Sequence, residues 1–165
     1  MAKRHFDESR EIAASPVELF ALIDDHARLS AHMSKSSWMM GGGRMEMSLD
    51  EGRGQKVGSH IKLSGKAFGI DIFLDEVVVV HEPPRRKVWE TVGEPRLLII
   101  GKYAMAVDIM FRDKGSLLRV GIDYELPQTL LGLLFGAPYA RWCVRRMLND
   151  AAGHFAAPAR STATA

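Results

Sequence analysis

Ser15-Pro16-Val17-Glu18-Leu19-Phe20 follows directly on a short alternating segment, Phe6 to Ala13, and this junction decides how the chain is read. Ser15 is a good N-cap, Pro16 suits the first helical position, and Glu18 stands three residues after the cap, as a capping box requires. A strand stops here and hands over to a helix. Roughly a hundred residues of strand-like sequence follow, and then one long amphipathic helix. That order implies a sheet wrapped around a helix, with an apolar space between them.

Working outward, the first helix is expected from Pro16 to Asp24, with Val17, Phe20 and Ala21 on one face. A second short helix follows, capped by Asp25, with Leu29 and Met33 facing inward. Gly41-Gly42-Gly43 reads as a turn-permissive break, because it lacks the spacing of a phosphate loop and has no Lys-Ser/Thr after it. From Met45 to Leu126 the period is two. Met45, Met47 and Leu49 alternate with polar residues, as do Ile61 and Leu63. A longer strand, Ile70 to His81, ends at Pro83-Pro84, which cannot continue a ladder, and Val88 to Val92 carries Trp89.

Two further strands carry their own register. Tyr103, Met105, Val107, Ile109 and Phe111 alternate along one, and Leu118, Val120, Ile122, Tyr124 and Leu126 along the other. Pairing Ile109 with Val120 sets Val107 opposite Ile122 and Met105 opposite Tyr124, and leaves Lys114-Gly115 as a two-residue loop. On the outer face Asp108 is then opposite Gly121 and diagonal to Arg119, an ion pair in reach. After Pro127 the period returns to 3.6. Leu133, Ala137, Ala140, Val144, Met147, Leu148, Ala151 and Phe155 form one stripe of a helix from about Gly132 to Phe155. The chain reads as one domain, residues 1–155, with a flexible Ala/Ser/Thr-rich tail from 156 to 165.

The 165 residues suffice for a substantial core, and 47% hydrophobic with 25% charged residues is a globular composition. A net charge of +2, without a Lys/Arg run, argues against a nucleic-acid surface. The single cysteine, Cys143, excludes an internal disulfide and a multi-cysteine zinc site, and the six histidines are scattered without metal-ligand spacing. Nothing calls for a metal or another cofactor. The charged start, Lys3-Arg4-His5, lacks a signal peptide's apolar core, and no run approaches the roughly 20 apolar residues of a membrane span. A cytoplasmic, soluble protein is the expectation.

Ile12-Ala13-Ala14-Ser15-Pro16 with Phe20 and Leu22, the proline turn Glu82-Pro83-Pro84-Arg85-Arg86 and the closing amphipathic helix together resemble the helix-grip fold. This is the START and birch-pollen-allergen superfamily (SRPBCC), which includes polyketide cyclases and lipid-transfer proteins. The resemblance spans roughly residues 4 to 155. It implies an α+β fold, a curved antiparallel sheet of about seven strands around a long C-terminal helix with two short helices after strand one. It brings no universal catalytic residue to carry over.

An apolar cavity is expected to be lined by Trp38, Met47, Ile61, Leu63, Trp89, Met105, Val107, Ile109, Val120, Ile122, Tyr124, Val144, Met147 and Leu148. Trp89 either lines it or caps an outer face. Tyr124 offers either a ligand-facing hydroxyl or a structural one, and His32 either a general base near the cavity mouth or a surface side chain. Cys143, at the edge of the helical stripe, reads as packing. Two runs, Leu97-Ile100 and Leu130-Phe135, are too continuous for half-exposed elements. Either they enter a doubly buried strand and start the long helix, or they form an apolar rim for transient membrane or protein contact. The expected function is binding or carrying a small hydrophobic metabolite or lipid, with no nucleic acid as partner. The alternative is a cyclase- or dehydratase-like enzyme acting on a polyketide-like or aromatic substrate.

Overall fold

A computed structural model describes residues 3–29 and 44–156. Strand β1 (Lys3–Ile12) leads into α1 (Pro16–Asp24) and α2 (His26–Leu29). Then follow β2 (Met45–Leu49), β3 (His60–Ala67), β4 (Ile70–Glu82), β5 (Arg86–Arg96), β6 (Tyr103–Arg112), β7 (Gly115–Glu125) and α3 (Leu130–Phe155). The strands form one antiparallel sheet in the order β1-β7-β6-β5-β4-β3-β2. This is the expected α+β arrangement of seven strands around a long C-terminal helix.

The capping box at the strand-to-helix junction is complete. The Glu18 N–H donates to the Ser15 hydroxyl at 3.3 Å, and the Ser15 N–H donates to the Glu18 carboxylate at 3.0 Å. Both satisfy backbone donors or fix the cap at a helix start, where no helical partner exists. The helix is rotated from the expected face, however. Leu19, Phe20 and Ile23 are buried, whereas Val17 is 67% exposed and Ala21 is also exposed. Both sets have helical spacing, and packing against the sheet selects the bulkier one. Asp25 accepts from the Arg28 N–H at 3.1 Å and so caps α2. Met33 and Gly41–Gly43 lie outside the described residues.

The β6–β7 hairpin departs from the expected register by two residues. Ile109 is opposite Leu118, Val107 opposite Val120, Met105 opposite Ile122 and Tyr103 opposite Tyr124. The loop is Asp113-Lys114, and Gly115 (φ 146°) already belongs to β7. A slip of two preserves the face on which every side chain lies, so the apolar inner face survives the error. On the outer face Asp108 is directly opposite Arg119, yet its ion pair, at 2.5 Å, is with Arg86 of the neighbouring strand. Phe111, expected inward, is 71% exposed near the hairpin tip, where the strand runs beyond the core.

Helix α1 packs against β6 and β7, and α3 against β1 and β7. Between them, Val107, Leu118, Val120, Val144 and Leu148 are fully buried. The start of α3 packs through its glycines. Gly132 lies against Pro127, and Gly136 against Leu126 and the Ile99 carbonyl, where a β-carbon has no room. The neighbouring Leu130, Leu131, Leu133, Leu134 and Phe135 therefore point outward; Leu133, expected on the buried stripe, is 61% exposed. The other apolar run, Leu97–Ile100, is not in a strand but in the β5–β6 connection, with Leu97 to Ile99 half-buried and Ile100 buried. No helix among the described residues is long and apolar enough to cross a membrane.

Candidate functional site

Because α3 meets the sheet at β1 and β7, helix and sheet separate over β2–β5, and a pocket with a cavity volume of about 190 Å³ opens there. Met45 and Met47 of β2, Leu63 of β3 and Ile72 and Leu74 of β4 supply its sheet side. Tyr139, Trp142, Cys143, Arg146 and Met147 supply its helical wall. His26, Leu29, Phe68 and the Leu97–Ile100 connection add to the lining, and side chains of β4 to β7 form its floor.

Of the residues expected at a cavity, Met47, Leu63, Trp89, Met105, Ile122 and Met147 line this pocket. Ile61, Val107, Ile109, Val120, Tyr124, Val144 and Leu148 do not; they are buried in the packed core. These inward faces meet where helices and sheet are already in contact, so no space is left beside them. Trp89, whose face was open on sequence grounds, points inward and is 4% exposed. Tyr124 is buried opposite Tyr103 and Arg4 and does not reach the pocket. His32 and Trp38 lie outside the described residues. Among the described residues, no group of three His, Cys, Asp or Glu side chains could hold a metal ion.

The pocket's polar chemistry comes from a residue the expected lining omits. Glu76 sits on β4 in the inward series Ile72, Leu74, Glu76, Val78, and it is 5% exposed. The Tyr103 hydroxyl on β6 donates to Glu76 Oε1 at 2.5 Å. Burial away from water pushes the Glu76 carboxyl up to about 7. The Tyr103 and Trp89 hydrogen bonds pull the other way, as does the charge of Lys87, but they do not overcome the desolvation. Tyr103 is raised well above the usual phenol range by burial and by the carboxylate beside it. Facing them from α3, Tyr139 is raised by Cys143 and by burial, and the Cys143 thiol is pushed up to about 12 by burial. That thiol stays protonated and is a poor nucleophile.

A second buried polar group lies behind Trp89. Lys87, with no exposed side-chain surface, donates to Asp24 Oδ1 at 2.6 Å, and His81 Nε2 lies 3.0 Å from both oxygens of the same carboxylate. The Lys87 ammonium is 5.9 Å from the Trp89 ring centre, and the His26 ring meets that indole edge-on at 5.2 Å. Burial, reinforced by the Lys87 charge, lowers His26 to about 3, so it is neutral at physiological pH. This network ties α1 and α2 to β4 and β5 and fixes the indole that borders the pocket.

Glu76 was legible in principle. Even-numbered positions of β4 read Ile70, Ile72, Leu74, Glu76, Val78, Val80, a carboxylate interrupting an otherwise apolar period-two series. Lys87, two residues before Trp89, shares the inward face of β5 at its start. A charged residue on an inward face carries either a partner or a function.

No protein-family model matches the sequence, and no curated protein matches it. Solved structures do. Norcoclaurine synthase of Thalictrum superposes with a TM-score of 0.65 at 10% identity, over 93% of this chain and 94% of that one. The major latex-like protein 151 of Panax ginseng gives 0.61 at 16%, over 94% and 99%. The di-domain ARO/CYC BexL of the BE-7585A biosynthetic pathway gives 0.61 at 18%, over 94% of this chain and 50% of that one. At such identities the likeness speaks for architecture, and with the sheet order and closing helix described above it gives the chain the helix-grip fold.

Proposed function

We propose that this protein binds and carries a small, largely apolar molecule in the pocket between α3 and strands β2–β5. The observation that carries this reading is a cavity of about 190 Å³ lined mainly by Met, Leu, Ile and aromatic side chains, with the Glu76–Tyr103 pair at its wall. Apolar contact supplies most of the affinity in such a site, and a few polar groups fix orientation. The methionines, unbranched and polarisable, suit a lining that adapts to its occupant.

A second reading has its own support. A carboxyl held near 7 in a water-poor pocket is suited to donate and accept protons at physiological pH, and this favours an enzyme of the proton-transfer kind. The ARO/CYC protein among the structural neighbours is in keeping with such chemistry, although among the described residues no reacting group beyond Glu76 and Tyr103 supports it. Binding is the simpler function, because it needs only the cavity.

The test is to fill the cavity. Met147→Trp places a large side chain in the pocket from α3 without touching the Glu76–Tyr103 pair. Uptake of an apolar fluorescent probe should fall by at least about tenfold while the melt stays cooperative. Unchanged uptake in the folded variant would refute the pocket as the binding site.

A further inference from the structure

Among the described residues, the cations at and behind the pocket are already paired, while its carboxylate is not. Lys87 is engaged by Asp24 at 2.6 Å, and Arg146, the cation on the helical wall, donates to Asp150 at 3.1 Å. Among the described residues Glu76 forms no ion pair: the Tyr103 hydroxyl and Trp89 hydrogen-bond it, and the Lys87 charge that favours its ionisation is committed to Asp24. Among the described residues, then, this carboxyl has no counter-ion of its own, and it faces apolar space large enough for a guest. Aromatic side chains line the same pocket. Trp89 borders the pocket, and Tyr139 and Trp142 stack on the opposite wall with ring centres 5.8 Å apart. A carboxylate and aromatic faces attract the same kind of group, a compact cation.

We propose that the occupant is an apolar molecule carrying a protonated amine, seated with its ammonium on the Glu76 carboxylate beside Tyr103 and its hydrocarbon body among the methionines and leucines. This rests on the pocket being the binding site. An ammonium gives the carboxylate a counter-ion of its own and recovers the hydrogen bonds lost with water. A neutral hydroxyl supplies a hydrogen bond but no charge. A carboxylate guest would place two acids together in a medium of low polarity.

The proposal has a proton signature. Empty, Glu76 holds its proton below about 7, so ammonium binding there must release it, and affinity rises with pH until the carboxyl is ionised in the free protein. The surrounding groups do not mask this. Tyr103 and Tyr139 lie well above the usual phenol range, Cys143 near 12 and His26 near 3. Lys87, though lowered by burial, is held by Asp24, and Asp75, the neighbour on β4, is hydrogen-bonded to His60.

Calorimetric titration of the full chain with phenylbutylamine, phenylbutanol and phenylbutyrate, in buffers of different ionisation heat, tests the proposal. Near pH 8 the amine should bind at least about tenfold more tightly than the alcohol, with the acid weakest, since a charge-assisted hydrogen bond is roughly twice as strong as a neutral one. Near pH 6 amine binding should weaken and release close to one proton. Glu76→Gln should abolish the preference for amine while retaining alcohol binding. An alcohol or acid bound as tightly as the amine overturns the ligand class but leaves the pocket reading standing. So does an amine preference that survives in Glu76→Gln. Binding of none of the three would overturn the pocket reading itself. The wild-type pH series decides the matter even if Glu76→Gln fails to fold.

Discussion

Lys87 and Asp24 form a buried ion pair, 2.6 Å from ammonium to carboxylate, between β5 and the last residue of α1. It joins the two-helix segment after β1 to the sheet beneath it. Burying such a pair is costly, but breaking it is worse, because the remaining charge keeps its desolvation cost and loses its partner.

Lys87→Met should therefore destabilise the protein by about 3 kcal/mol, leaving Asp24 with His81 alone. The double variant Asp24→Asn with Lys87→Met should lose less than the sum of the single losses. Urea unfolding of the four proteins measures the coupling. Additive losses would mean that the pair is not coupled in the folded state.

Glu76 is harder to ionise in the folded chain than in the unfolded one, with its carboxyl at about 7 instead of the ordinary 4.5. Its stabilising share is fully present below the lower value and is lost as pH rises through the upper one. The whole difference amounts to roughly 3 kcal/mol. Glu76→Gln, which cannot ionise, should gain on the wild type between about pH 5 and pH 8, and urea midpoints along that series follow it. A stability gap that stays constant across this range would show that Glu76 titrates normally.

Removing the Ser15 hydroxyl should loosen the entry to α1. Ser15→Ala loses the acceptor for the Glu18 N–H and the hydroxyl's own bond to the Glu18 carboxylate at 2.7 Å. A melting temperature lower by a few degrees is expected, and Ser15→Asp, which also caps, should recover most of it. If Ser15→Asp melts no higher than Ser15→Ala, capping is not what Ser15 supplies.

An occupant must enter past the rim. Leu97–Ile100 lies in an irregular connection along the pocket, and Gly136 of α3 rests on the Ile99 carbonyl. Segments with few buried contacts open most readily. Amide exchange over Leu97–Ile100 and Leu130–Gly136 should be faster than in β6 and β7, and should slow once a pocket ligand is added. Equal protection in the empty protein would remove this route of entry.

How far the fold could be read from sequence depends on which distances were involved. The Ser15–Glu18 box, the period-two series of β2 to β7 and the 3.6 period of α3 are local, each set by neighbours within a turn or a strand, and each is where it was expected. Register and rotation were less secure. Slipping the β6–β7 hairpin by two costs nothing in pattern, so alternation alone could not choose Leu118 over Val120 as the partner of Ile109. Val17 and Leu19 are both apolar at helical spacings, and only the sheet beneath α1 selects Leu19.

The site was legible only in part for the same reason. Inwardness is a property of a strand's own alternation, and the period-two pattern already fixes it for Met47, Leu63, Met105, Val107, Val120 and Ile122. Whether an inward side chain meets a helix or an open space depends on how α3 crosses the sheet, a relation that joins elements as distant in the chain as β1 and α3. Tertiary structure alone packed Val107 and Val120 under the helices and left Met47 and Leu63 facing the pocket. It also brought the Glu76 carboxyl of β4 to the Tyr103 hydroxyl of β6 across the intervening strand β5, because curvature of the sheet, which no single strand encodes, turns separate inner faces toward one another.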